Sequence, residues 1–180
     1  MRHYKEKQFD YEEIRKAIAE SSENSSVYIG ADSKQYTSEG VQYVAYVTVI
    51  ILHFGSSKGA TIFRALRIDR DYGQLRTRLM AEVTDAIAAG YEIVDHIGDR
   101  PFEIHLDINR DTQYKSSVLV KEATGYVLGS LGITPILKPD AWASSCVADR
   151  WAVGNAKYRR DTPAAKRKFN RHKNKKVKRA

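Results

Sequence analysis

The hydrophobic pattern of this chain changes period near residue 75, and that change limits the folds open to it. From residue 27 to 68, apolar residues run on without helical spacing. Val27 to Ala31, Val41 to Phe54 and Ala60 to Ile68 are rich in Val, Ile and other residues that favour a pleated strand. The turn-like words Thr37-Ser-Glu-Gly and Gly55-Ser-Ser-Lys-Gly separate them. Strands joined by short turns predict an antiparallel meander. After the change, Leu75, Leu79, Val83, Ala86 and Ile87 recur at helical spacing up to Gly90, which suits a C-cap.

The rest of the chain alternates. Phe102 to Ile108 reads as a strand and Ser117 to Leu131 as a helix, in which Gly125 and Gly129 suit close helix packing. Ile133 to Leu137 reads as a short strand, and a last helix spans the region around Val147 to Tyr158. At the other end, Asp10-Tyr-Glu-Glu is a helix start, with Glu13 at the capping-box position and a helix to about Glu20; Ser21 to Ser26 is a polar linker. Strands separated by helices need crossovers and pair in parallel. The pattern therefore predicts an α/β fold: a mixed five-stranded sheet, antiparallel over its first three strands and parallel over the last two, with helices on both faces. Sites in such sheets collect near the carboxyl ends of the central strands.

Charge divides the chain in two. Residues 157–180 hold twelve Lys or Arg and one acid, Asp161, for a net of +11. Taken from totals of 30 basic and 22 acidic residues, that leaves 18 and 21 in residues 1–156, a net of −3. The boundary suggests one domain over 1–156 and a basic, flexible tail over 157–180. A tail like this attracts a polyanion, usually nucleic acid; its blander use is solubility. Its cations are Lys157, Arg159, Arg160, Lys166, Arg167, Lys168, Arg171, Lys173, Lys175, Lys176, Lys178 and Arg179. No apolar run reaches the roughly 18 residues of a membrane span, Met1-Arg-His-Tyr-Lys-Glu-Lys does not resemble a signal peptide, and a lone Cys146 allows no internal disulfide. These features favour a soluble cytoplasmic protein. The long second strand and the apolar helices leave a homodimer open.

Four acids stand at the ends or edges of different elements: Asp32, Glu82, Asp107 and Asp149. Gathered together, they would make an oxygen cage for hard divalent cations. Each has a plainer reading. Asp32 could be a turn former at a strand end. Glu82 could be a surface helix glutamate, and Asp85 competes with it. Asp107 alternates with Ile104, Leu106 and Ile108, where an unpaired acid would be costly. Asp140 and Asp149 compete for the fourth place, because nine residues on one helix span about 13.5 Å; Asp140 could be an N-cap after Pro139. Lys34 could touch phosphate or simply be exposed. His105 shares a strand face with Asp107 but reads more readily as a structural histidine. Trp142 and Trp151 could stack on bases, although packing is the simpler role, and Cys146 lacks the partners of a nucleophile.

The element order and local words resemble the ribonuclease H-like superfamily. Gly30-Ala-Asp-Ser-Lys, His105-Leu-Asp-Ile-Asn and Val147-Ala-Asp-Arg-Trp-Ala are similar to its first-strand, fourth-strand and last-helix acid motifs. More narrowly, Ile-Gly-Ala-Asp-Ser, Ile-His-Leu-Asp-Ile-Asn and Lys-Pro-Asp-Ala-Trp-Ala-Ser-Ser resemble the YkuK-type family of bacteria and phages, over about residues 8 to 155. The resemblance implies a nuclease that uses two Mg²⁺ or Mn²⁺ ions on RNA, DNA or a hybrid. It implies that Asp32 and Asp107 touch both ions, that Glu82 holds one near the leaving group, and that Asp149, with Asp140 in reserve, holds the other. A nucleic-acid-binding protein on the same fold, driven by the tail, is the competing expectation.

Overall fold

The computed structural model describes residues 6–55 and 59–152. A five-stranded sheet forms its centre, in the order β3-β2-β1-β4-β5. Strands β1 (Ser26–Ser38), β2 (Val41–His53) and β3 (Ala60–Arg70) are antiparallel neighbours. Strand β4 (Phe102–Asn109) lies parallel to β1, and β5 (Ile136–Lys138) lies parallel to β4. The mixed sheet read from the sequence is therefore the one observed.

Helix α1 (Tyr11–Glu20) starts where Asp10 Oδ1 accepts the Glu13 N–H at 3.1 Å, and it buries Ile14 and Ile18 one turn apart. Helix α2 (Leu75–Tyr91) buries Leu79, Val83, Ala86 and Ile87 against the sheet. A short α3 (Val94–Ile97) follows it, and α4 (Val120–Leu131) continues from a 3-10 turn at Lys115–Leu119. The final helix begins as a wide π turn over Ala143–Ala148 and continues to residue 152.

Side-chain alternation sends the two faces of the sheet into different cores. On one face Ile29, Ile50, Leu52, Ile104 and Leu106 pack with Val83, Ala86 and Ile87 of α2, Ile14 and Ile18 of α1, and Val127 of α4. On the other, Val47, Val49 and Ile51 meet Ala143, Ala148 and Ala152 of the final helix. Covered on both sides, β2 is buried without a break from Val44 to Leu52, which is why its sequence shows no alternation. The final helix presents alanines and β1 presents Gly30, so their backbones come close. A Cβ at Gly30 would stand 2.4 Å from the Ala143 carbonyl carbon and 2.6 Å from Ser144 N.

Several boundaries differ from the sequence reading. Strand β1 does not stop at Ala31 but runs on to Ser38; the turn to β2 is Glu39-Gly40, with φ of 50° and 77°. Two left-handed residues make the tight hairpin turn whose twist suits flanking strands. Gly90 does not cap α2, which continues to Tyr91; it is the contact point with α4, where a Cβ would lie 2.7 Å from Leu131 Cδ1. Gly125 and Gly129 do not serve close packing, since nothing lies within 4 Å of a Cβ at either. The final helix starts at Ala143, upstream of the position expected.

Candidate functional site

Strands β1 and β4 are paired through Ala31 and Leu106. The next residue along each is an acid, Asp32 and Asp107, so the two carboxylates stand side by side at the carboxyl ends of these strands. Both fall on the face covered by the final helix. Gly30, two residues before Asp32, abuts Ala143, and His105, two before Asp107, accepts the Ala143 N–H. That helix brings Asp149 against Asp32, close enough for a carboxyl–carboxyl hydrogen bond. Glu82 arrives from α2 on the opposite face. It is 4% exposed and accepts hydrogen bonds from Ser33 Oγ at 2.5 Å and from Arg78 at 3.4 Å.

Crowding and burial set the proton affinities. Asp32, 6% exposed, is pushed up to about 7, first by burial and then by the Asp107 charge, with Asp149 adding to it and the Ser33 backbone N–H opposing it. Glu82 is held well above the usual carboxylate range, again by burial first and then by Asp32; Ser33 and Arg78 offset part of this. A cation from β5 answers these acids. The Lys138 ammonium ion-pairs with Asp107 Oδ1, an atom shut from solvent. Burial works against the ammonium charge, but Asp107, Asp32 and Asp149 outweigh it and raise its proton affinity.

The scaffold behind the acids is aromatic and fixed. His105 is 1% exposed. Its Nδ1 accepts the Ala143 N–H at 3.1 Å, so Nε2 carries the proton and donates to Glu103 at 2.9 Å. This is the structural role read for it. Trp142 packs edge-on against Tyr28 and His105, with centroids at 4.9 and 5.4 Å, and Trp151 carries the Arg64 guanidinium 4.0 Å above its ring. Together they hold the start of the final helix, and with it Asp149, onto the sheet.

The remaining candidates separate clearly. Asp140 is exposed in the turn after β5, and Asp149 is the acid beside Asp32. Asp85, the competitor of Glu82, pairs with Arg67 at 2.8 Å. That pair lines a cavity of about 310 Å³ with Phe9, Tyr46 and Thr48, on the α2 side of β2 and β3 and apart from the four acids. Lys34 is exposed on β1, on the same face as Asp32. The tail cations from Lys157 to Arg179 lie outside the described residues. Cys146 is exposed, and no described helix is long and apolar enough to cross a membrane. Sequence reasoning missed Lys138, Ser33 and Arg78. Only Arg78 left a signal, one helical turn before Glu82.

The donor set suits a hard cation: every candidate ligand is a carboxylate, and the buried Asp107 Oδ1 already receives a cation, Lys138. As they stand, no three acid, histidine or cysteine side chains among the described residues are arranged to hold an ion. Lys138 stands on Asp107, while Ser33 and Arg78 hold Glu82. The acids have the right chemistry for a metal but are paired within the protein. The sequence model of one family, described as Ribonuclease H-like, matches residues 10–152. No curated protein and no solved structure matches the chain.

Proposed function

The chain belongs to the ribonuclease H-like family, and from that premise we propose that it is a divalent-metal-dependent nuclease acting on RNA, DNA or a hybrid. The observation that supports this reading is the electrostatic coupling of Asp32 to Asp107 and Asp149, and of Glu82 to Asp32 and Asp107, which together with burial raises Asp32 and Glu82. Repulsion of this kind is what a bound cation would relieve. In the proposed site Asp32 and Asp107 would hold both ions, Glu82 would serve the leaving-group side and Asp149 the side of the attacking water. Two Mg²⁺ or Mn²⁺ ions, when bound, would activate that water and stabilise the leaving oxygen.

The protein's own part is to hold the carboxylates still. Gly30 lets the final helix press on β1, His105 ties Ala143 to β4, and Ser33 with Arg78 orients Glu82. Lys34 and the tail cations would add affinity for a polyanion and make it salt-dependent, without reading sequence. A second reading, a nucleic-acid-binding protein with an idle site, draws on the internal pairing of Asp107 and Glu82.

Cleavage of labelled hybrid, duplex, single-stranded and four-way-junction substrates with Mn²⁺ or Mg²⁺ tests the proposal. Wild type should cut at least one of them, and Asp107→Asn should not. Salt-sensitive binding by both proteins with no cutting would favour the second reading. Removing residues 157–180 should then abolish binding, whereas a nuclease so shortened should keep metal-dependent cutting at lower affinity.

A further inference from the structure

Lys138 enters the acid group from the end of β5, despite a break in strand register. Leu106 pairs with Leu137, but past that point the β4–β5 register shifts and Lys138 falls opposite Asn109. Its side chain nevertheless reaches Asp107 and feels the charges of Asp32 and Asp149 as well. The contact is with Asp107 Oδ1, an oxygen shut from solvent. An ammonium there supplies charge and rotatable N–H donors. It is a compact cation on a flexible stem, and with its side chain 34% exposed it has a way out to solvent.

A divalent ion bridging Asp107 to Asp32 would need that same oxygen and the same space. The two cations cannot both sit on it, and the ion brings twice the charge to a group of three or four carboxylates. We infer that Lys138 is a built-in counter-ion of the acid group, which a divalent cation must displace from Asp107 and which is then free to pair with a substrate phosphate oxygen. This rests on reading the acids as a metal site. It makes metal binding weak in the absence of substrate, and it gives the site a cation that trades one anionic partner for another. The trade is electrostatic, with no bond made or broken.

The test uses the full chain and Mn²⁺ alone, with free ion counted by electron paramagnetic resonance, in wild type and Lys138→Met. Methionine keeps the length of the stem and removes the charge. The variant should bind Mn²⁺ at least tenfold more tightly than wild type. Equal uptake by both proteins would overturn the inference and leave the metal reading standing; uptake by neither would overturn both. If Lys138→Met does not fold, wild type labelled with ¹³C,¹⁵N-lysine is titrated with Mg²⁺ and the Lys138 ammonium followed by NMR. Its signal should move to the position of a solvent-exposed lysine as the ion binds, and a signal that stays in place through saturation would overturn the inference.

Discussion

Replacing Asp32 by Asn should stabilise the metal-free protein at pH 8. Asp32 is 6% exposed, and its carboxyl is raised from the ordinary 3.8 to about 7, chiefly by burial and then by Asp107. The unfolded chain gives up that proton near the ordinary value. Between about pH 4 and about pH 7 the folded state therefore binds more protons than the unfolded one, so stability falls as pH rises through that window and stays reduced above it. About three pH units at 1.36 kcal/mol each come to about 4 kcal/mol. Asp32 sits within a group of interacting acids, so a gain of about 2 to 4 kcal/mol is expected at pH 8. Urea unfolding of both proteins in EDTA, at pH 5 and pH 8, measures it. The gap should narrow to about 1 to 1.5 kcal/mol at pH 5, where folded wild-type Asp32 holds its proton but the unfolded chain has already lost it. A variant no more stable than wild type at pH 8, or a wild type equally stable at both values, would refute the reasoning.

Three further outcomes are expected. Gly30→Ala should cost about 3 kcal/mol or more in urea unfolding, because its methyl group would meet backbone that cannot rotate away; a loss under about 1 kcal/mol would mean that the final helix is not pressed onto β1. Asp149→Asn should weaken Mn²⁺ binding at least tenfold while Asp140→Asn changes it less than twofold, and the reverse order would return Asp140 to the site. Gly125→Ala, with open space around it, should raise stability by about 0.5 to 1 kcal/mol, whereas Gly90→Ala should lower it by about 1 to 3 kcal/mol because Leu131 must move; thermal unfolding of the pair separates the two glycines.

Much of the architecture is legible in the sequence because periodicity reports burial. The unbroken apolar run of β2 could only be a strand covered on both faces, and the repeat through Leu79, Val83 and Ile87 only a helix with one face buried. Asp107 is legible for the same reason: an acid amid Ile104, Leu106 and Ile108 needs a partner. Other features depend on tertiary contacts that leave no local mark. Ser33 to Ser38 is polar enough to pass for a loop, yet it is strand because β2 pairs with it throughout. Gly90, Gly125 and Gly129 look alike until α4 crosses α2 at only one of them. Lys138 is a lysine on a three-residue strand, and nothing in its neighbourhood signals that β5 pairs with β4 and sets it beside Asp107. The choice between Asp149 and Asp140 turned on where the last helix begins. Pro139-Asp140 obscured this, since a π turn starting at Ala143 has no distinctive spacing.

Strand β1 keeps β4 as a neighbour only as far as Ala31, but keeps β2 to Ser38. Past the acids, the hairpin therefore continues as an arm, braced by the stacked rings of Tyr36 and Tyr43 at 5.6 Å and closed by Glu39-Gly40. Seven residues at about 3.3 Å each carry its tip about 23 Å from Asp32. That distance makes the tip a natural point of attachment. A dye coupled there would leave the carboxylates untouched, yet sit within energy-transfer range of a labelled oligonucleotide in the site, so binding could be followed optically without altering a residue of the centre.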